Sequence, residues 1–293
     1  MKENIKKSNN NQVHIFGFIN DVRMNQTESG KTAINIDVCT TENFKNKDGE
    51  SQVRRSFHDV ALFTDDKELI KSFEKIGADI EANNANRGVE GYKPKSHQVS
   101  LDGILVNKTN TLGDSDKTYR TLQIMANEAS IDLDTKQAES EKRNRAEIVG
   151  NIANISLHED KKFAVVTLIH HYRPEGSETD YQTTVDVRIN GDRSTAKGMY
   201  DGLVSGDIKK GDFVRVGGQL HNNRYETTDG TRYGVSLDVT SFSSLKKREA
   251  EAEKVEVKEE KAAKKAPAKT AKTAKTAKAG KKATPRKKGM GVA

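Results

Sequence analysis

One succession of elements can be read twice along this chain, and that repetition constrains its fold more than any other feature. A strand interrupted by Gly17 (residues 12–24) leads into two strands around a polar turn (32–63). A short helix and a closing hairpin follow. After a charged stretch, residues 146–157 echo the first strand, with Gly150 in the role of Gly17. A second pair of strands, a weaker helix and a second closing hairpin complete the repeat. Two similar domains are what 293 residues suggest on length alone.

The individual elements support this division. Val13, Ile15 and Ile19 share one side of the first strand, and Gly17 inside it marks a bulge or a tight barrel bend. In the next hairpin Ile34, Ile36 and Val38 alternate on one face, and Asp48-Gly49 is a strong turn pair because glycine accepts positive φ. Residues 65–77 place Leu69, Ile70, Phe73 and Ile76 at helical spacing. Asp65 with Glu68 resembles a capping box, and Gly77 stands where a C-terminal cap belongs. Residues 78–96 read as loop, and 98–108 with 117–126 as a hairpin. In the second unit the strands fall at 163–171, 181–190, 212–220 and 233–239, with a helix over 194–204.

Strand, hairpin, helix, hairpin is the order of a small Greek-key barrel of the OB type. The expected fold class is all-β: two tandem OB-fold barrels, each with a short helix, followed by a disordered basic tail. The boundaries read as a disordered N-terminus over 1–11, barrels at 12–132 and 146–245, a linker at 133–145 and the tail from 246 to 293.

Charge divides along the same lines. Residues 246–293 hold 17 Lys/Arg against 6 Glu, a net of +11, so the formal +7 of the chain is a property of its tail. Residues 1–245 carry a net of −4. Within 261–288 Lys, Ala and Thr recur with no acid at all, a composition that cannot build a core. No apolar run approaches the ~20 residues of a membrane span. The N-terminus has no apolar signal core, so a cytoplasmic protein is expected. The single Cys39 excludes an intrachain disulfide and a cysteine-based zinc site, and reads as a small packed residue.

Enzymatic chemistry finds little footing. No phosphate loop, His-Glu-x-x-His or spaced Cys/His set is present. His170-His171 are neighbours on a strand, so their rings point to opposite faces. No catalytic residue, cofactor or metal is expected.

The aromatic residues are more informative. On the strand that ends at Phe63, His58, Val60 and Leu62 take one face, while Arg55, Phe57, Asp59, Ala61 and Phe63 take the other. Phenylalanines on a polar face have two explanations. One is a second core or subunit interface; the other is a stacking platform for unpaired bases, with nearby cations on the phosphates.

The stretch 12–132 resembles the bacterial-type single-stranded DNA-binding (SSB) proteins. The resemblance rests on Gly17, on Thr41-Glu42-Asn43-Phe44, on the turn Lys47-Asp48-Gly49-Glu50 and on Phe57-His58-Asp59-Val60-Ala61-Leu62-Phe63. It implies that Phe44, Phe57 and Phe63 stack on bases and that Arg54 and Arg55 meet phosphates. The family often has tryptophan at these positions, and this chain has none. In the second unit Gly218-Gln219-Leu220 with Arg224 and Tyr225, and Arg232-Tyr233 after Asp229-Gly230, resemble the family's later strands, as Tyr119-Arg120 does in the first. Tyr172, Arg173, Tyr181 and Arg188 are further candidates, with ordinary edge packing as the alternative for each tyrosine.

The family works as four OB-folds, so two per chain imply a homodimer. Family members also end in an acidic tip, whereas this chain ends in a basic stretch. Lys264, Lys265, Lys269, Lys272, Lys275, Lys278, Lys281, Lys282, Arg286, Lys287 and Lys288 are the expected phosphate contacts of that tail. The expected function is sequence-tolerant binding of single-stranded DNA in replication, recombination or repair, in a nucleoid or, for a phage-encoded chain, in host cytoplasm. The tail adds the prospect of duplex DNA or RNA as partner. The alternative is a nucleoid-type architectural protein that grips duplex DNA by its tail, with the barrels as an oligomerising scaffold.

Overall fold

Period-2 alternation builds each barrel wall, and the backbone register closes it. The computed structural model describes residues 11–45, 48–111, 118–132, 144–173, 178–227 and 230–245. The first unit comprises β1 (Asn11–Gln26), β2 (Thr32–Lys45), β3 (Ser51–Thr64), α1 (Lys67–Ala85), β4 (Gln98–Thr111) and β5 (Thr118–Ile131). The second comprises β6 (Asn144–His158), a 3-10 turn (Glu159–Lys161), β7 (Phe163–Tyr172), β8 (Tyr181–Asn190), α2 (Ser194–Ser205), β9 (Phe213–Thr227) and β10 (Gly230–Ser244).

β1 closes the first barrel because its two halves pair with different strands. Residues from Phe18 onward pair with β2, while Val13 to Phe18 pair with β4. The ring is completed by antiparallel β2–β3 and β4–β5 pairs and a short parallel β3–β5 contact, Val60 opposite Ile124. The second unit repeats this, with β6 pairing to β7 and β9, and β8 running parallel to β10. This is the five-stranded OB topology, twice. The fold class is all-β with two OB-folds.

Ile15, Ile34, Ile36, Val60, Leu101, Leu105 and Ile124 fill the first barrel; Ile148, Val166, Leu168, Val187, Ile189, Val216 and Leu237 fill the second. Phe73 and Ile76 of α1 plug the first from one end, and Met199 and Leu203 of α2 join the core in the second. The two barrels are not separate beads. β1 pairs antiparallel with β6, Val13 opposite Ala146, so the described strands form one ten-stranded sheet. Both barrels lie within one compact unit, Met1–Glu249.

Several local expectations are corrected. The irregularity in β1 lies between Ile19 and Asp21, not at Gly17. It switches the inward face, so that Val22 and Met24 pack on the core after Val13, Ile15 and Ile19. Gly17 serves close approach instead. A β-carbon there would stand 2.5 Å from the Cys39 carbonyl oxygen, and one on Gly150 would stand 2.6 Å from that of Ile169.

Helix α1 is capped by Asp66, whose Oδ1 accepts from the Glu68 and Leu69 amides (2.9 and 3.2 Å), rather than by Asp65. It runs through Gly77 to Ala85, taking up residues expected as loop. The ~1 kcal/mol cost of an interior glycine is offset by Phe73, Ile76 and Ile80 packing on the barrel. The hairpin strands β4, β5, β9 and β10 are longer than their apolar cores suggest. Backbone ladders continue past the point where side chains are buried. Asn144 and Arg145, expected in the linker, already pair with Ile15 and His14. The N-terminus over 1–10, residues 133–143 and the tail from 246 lie outside the described residues.

Gly17→Ala or Gly150→Ala should each destabilise the protein by about 1–3 kcal/mol, because the clash is with a backbone carbonyl that cannot rotate away. Urea unfolding followed by far-UV circular dichroism reads this directly. A wild-type midpoint in both variants would contradict it.

Candidate nucleic-acid interface

The outer face of the first barrel carries the aromatic residues. Ser56, His58, Val60 and Leu62 of β3 point inward and are buried, so Arg55, Phe57, Asp59, Ala61 and Phe63 point outward. Phe57 and Phe63 are 47% and 46% exposed, too open for core rings. Cross-strand partners give them small neighbours, Cys39 beside Phe57 and Ala33 beside Phe63. Such neighbours leave the ring faces clear. Tyr119, 43% exposed, belongs to the same face further along β5. Phe44 does not. It pairs with Gln52 and has the parity of Glu42 and Arg54, and the Arg54 guanidinium lies 5.7 Å from its ring centroid.

Between Phe57 and Phe63 the face is acidic. Asp21, Asp37 and Asp59 stand directly opposite one another across β1, β2 and β3. Burial, then the Asp21 and Asp59 charges, push the Asp37 carboxyl above its ordinary value, against the pull of Arg23. Arg23 lies 3.1 Å from Asp21 and Lys108 lies 3.2 Å from Asp59, so the row is partly neutralised from both ends.

The candidate arginines fall into two sets. Arg55 and Arg120 are exposed. Arg54 donates to Glu42 Oε2 through Nε (3.1 Å) and Nη2 (2.6 Å) and approaches Asp238 at 3.8 Å. Arg173 forks onto Asp180 (2.7 and 2.9 Å), and each partner stabilises the charged form of the other. Arg188 lies 5.1 Å from the Phe163 ring centroid and donates to Asn223. Tyr172 is half-buried, stacked on His170 (6.0 Å) and tilted against the exposed Tyr181 (5.8 Å). For Arg224, Tyr225, Arg232 and Tyr233 the structure describes only the backbone, which pairs Tyr225 with Arg232 and Arg224 with Tyr233. The candidate cations of the tail lie outside the described residues. Cys39 is buried, as expected of a packed residue, and burial raises its thiol.

Sequence reasoning missed the seam between the barrels. The Asn222 side chain mimics a strand, accepting from the Phe57 amide (2.5 Å) and donating to the Phe57 carbonyl (3.0 Å). Asn107 does the same to Thr184 of the second barrel (2.6 and 3.0 Å). The two bridges are reciprocal, as a pseudo-twofold axis requires. Their signal was present in the repeat Gly103-Ile-Leu-Val-Asn107 and Gly218-Gln-Leu-His-Asn222. The polar core of the seam draws on both barrels: Thr183 Oγ1 donates to the Leu105 carbonyl (3.1 Å), and the histidines lie on the other side. Ser56 Oγ lies 3.1 Å from His221 Nδ1, and His58 Nε2 lies 2.9 Å from Thr40 Oγ1. Burial, and secondarily His221, push His58 down to about 4. Burial and Arg54 push His221 in the same direction, against Asp238 and Glu42.

With this geometry in hand, comparison with known proteins gives a fold. No family model and no curated protein sequence matches the chain. Among solved structures, the wild-type single-stranded DNA-binding protein of Thermus aquaticus superposes with a TM-score of 0.50 at 16% identity. The match covers 80% of this chain and 92% of that one. A deletion mutant of the same Thermus protein gives 0.51 at 16% identity, over 80% and 93%. The likeness shows a shared fold. Among the described residues no group of His, Cys, Asp and Glu is placed to hold a metal, and no helix is long and apolar enough to cross a membrane.

His58 yields a pH prediction. Its folded pKa lies below the ordinary 6.5, so the unfolded chain binds more protons between these values and stability falls as pH drops from about 6.5 to about 4. The loss is of the order of 3 kcal/mol. Urea midpoints measured at pH 7 and pH 4.5 should separate accordingly, and His58→Gln should shrink the separation. An unchanged pH dependence in that variant would contradict the assignment.

Proposed function

We propose that this chain is a sequence-tolerant single-stranded DNA-binding protein serving replication, recombination or repair. The observation that carries the reading is the pair of half-exposed rings, Phe57 and Phe63, on the β2–β3 face. That is the face with which OB-folds receive oligonucleotides. Unpaired bases stack on such rings whatever their identity, at about 1–3 kcal/mol each. In a duplex the base faces are already occupied, so the same surface discriminates against it.

Tyr119 extends the aromatic surface along β5, with Arg55 and Arg120 as phosphate partners at its margins. Phe44 and the ion-paired Arg54 act at the hairpin mouth. Arg188, Tyr172, Tyr181 and Arg173, with the backbone-placed Arg224, Tyr225, Arg232 and Tyr233, form the second barrel's share. The basic residues of 264–288 add a salt-dependent attraction for any nucleic acid. Two barrels per chain and the four-barrel assembly of the resembling family make a homodimer the working assembly. The single-stranded DNA-binding protein of Thermus aquaticus, which has the same fold, supports this reading.

The acidic row gives the surface a second property. It repels a phosphate running between the two rings, so bases face the barrel there and the backbone faces outward.

Phe57→Ala with Phe63→Ala should weaken oligo-dT binding by about 30-fold or more while leaving the low duplex affinity unchanged. Fluorescence anisotropy on the chain without its tail measures both. Equal affinity of that truncated protein for single strands and duplex would overturn the proposal. Asp37→Asn removes a like charge from a crowded row and should both raise stability and tighten oligo-dT binding at low salt. The gain in binding should vanish at high salt.

A further inference from the structure

The outer face of the first barrel carries one more open ring. Phe18 of β1 is 36% exposed. Ile15 and Ile19 hold the inward row of that strand, so Phe18 points outward, with Cys39 as its direct cross-strand partner. Cys39 in turn stands opposite Phe57. Phe18, Cys39 and Phe57 thus form one row across β1, β2 and β3, on the face that also carries Phe63.

The row is high at its ends and low in its middle. Residues two strands apart stand about 10 Å from each other, and the small Cys39 between the rings is only 7% exposed. Each ring therefore has room for a partner of its own. Among the described residues, Phe44 has Arg54 over its ring and Phe163 has Arg188 and His158, whereas neither Phe18 nor Phe57 meets another ring or a guanidinium. Charge differs on the two flanks of the row. Asp21, Asp37 and Asp59 line one side. On the other, the exposed Arg55 stands opposite Thr41, near enough to Cys39 for its charge to oppose the effect of burial on the thiol.

The second barrel supplies a contrast. Asn107 bridges to Thr184 as Asn222 bridges to Phe57, which identifies the corresponding row there as Asn151, Ile169 and Thr184. That row has no ring at either end, so an aromatic residue at position 18 is not a requirement of the barrel frame. An open ring with a cation on one flank and carboxylates on the other suits a flat, uncharged group whose attached negative charge lies to one side. An unpaired nucleotide has that form, with the base over the ring and the phosphate toward the cation.

We infer that Phe18 is a base-stacking ring, and that a bound single strand turns at Phe57 and crosses β2 to reach it, with its phosphates on the Arg55 side. The inference rests on the single-strand reading above and deepens it, because it adds a ring on β1 to those of β3 and gives the strand a direction across the sheet.

The full chain has no tryptophan, so Phe18→Trp introduces a unique indole whose emission is quenched when a base stacks on it. Oligo-dT should quench it, as it should quench Phe57→Trp, and an abasic deoxyribose-phosphate strand of equal length should not. Val204→Trp, on the exposed side of α2, serves as the unquenched control. Phe18→Ala should weaken oligo-dT binding about 5- to 150-fold, the worth of one stacked base. Phe18→Leu, which keeps an apolar side chain and removes the ring, should weaken binding in the same direction with an unchanged far-UV circular dichroism spectrum. Binding of oligo-dT without quenching at position 18 overturns the stacking role and leaves the single-strand reading standing. Equal quenching by the abasic strand also overturns it. So does position-18 emission that follows protein concentration without DNA and ignores oligo-dT, by assigning Phe18 to a contact between copies of the chain. No binding of oligo-dT by the unsubstituted chain overturns both readings.

Discussion

The seam between the barrels is the constraint on which the rest of the molecule depends. β1 and β6 each pair on both edges: one edge serves the strand's own barrel, and the other is divided between that barrel and the partner barrel. At the ends of that ladder Asn107 and Asn222 continue strand pairing by side chain, each satisfying an amide and a carbonyl of the opposite barrel. The asparagines therefore both orient the barrels and keep the outer strands from presenting open edges.

Because Asn222 binds the backbone of Phe57, the seam also positions the face proposed to bind single strands. The most exposed aromatic of the first barrel is tethered by the second. An exposed aromatic face and a buried polar seam thus share one strand, with Phe57 facing out and Ser56 and His58 facing in. Alternation along β3 separates a wet aromatic face from a buried histidine network by a single residue step. The asymmetry between barrels follows from the same positions. Where the first places Ser56, Phe57 and His58, the second has Thr183, Thr184 and Val185, so its outer face at that site carries no aromatic ring and its inner face keeps a hydroxyl but has valine in place of the histidine.

Charge is arranged more locally than the composition suggests. The barrels are mildly acidic, and much of that acidity is committed to partners. Asp180 holds Arg173, Glu42 holds Arg54, and Asp79 holds Lys95 and His97. Asp37 sits at the centre of a row of three carboxylates, Asp21, Asp37 and Asp59, which in the proposed function sets the orientation of a bound strand. Net charge alone would have argued against nucleic-acid binding by the barrels.

The two-barrel architecture, the inward rows and the exposure of Phe57 and Phe63 were determined by the sequence alone, because alternation and repetition are local and survive any choice of packing. The reach of α1 past Gly77, the bulge after Ile19 and the true length of the hairpins were decided by tertiary structure. In each case packing or a continuing backbone ladder outweighs the local signal that glycine or a polar residue gives. The seam lay beyond sequence reasoning for a different reason. An asparagine on a strand reads as a polar surface residue until the fold brings a second barrel's backbone within 3 Å of its amide. The same holds for His221, whose Nδ1 meets Ser56 only because residues 165 positions apart in the chain come together there.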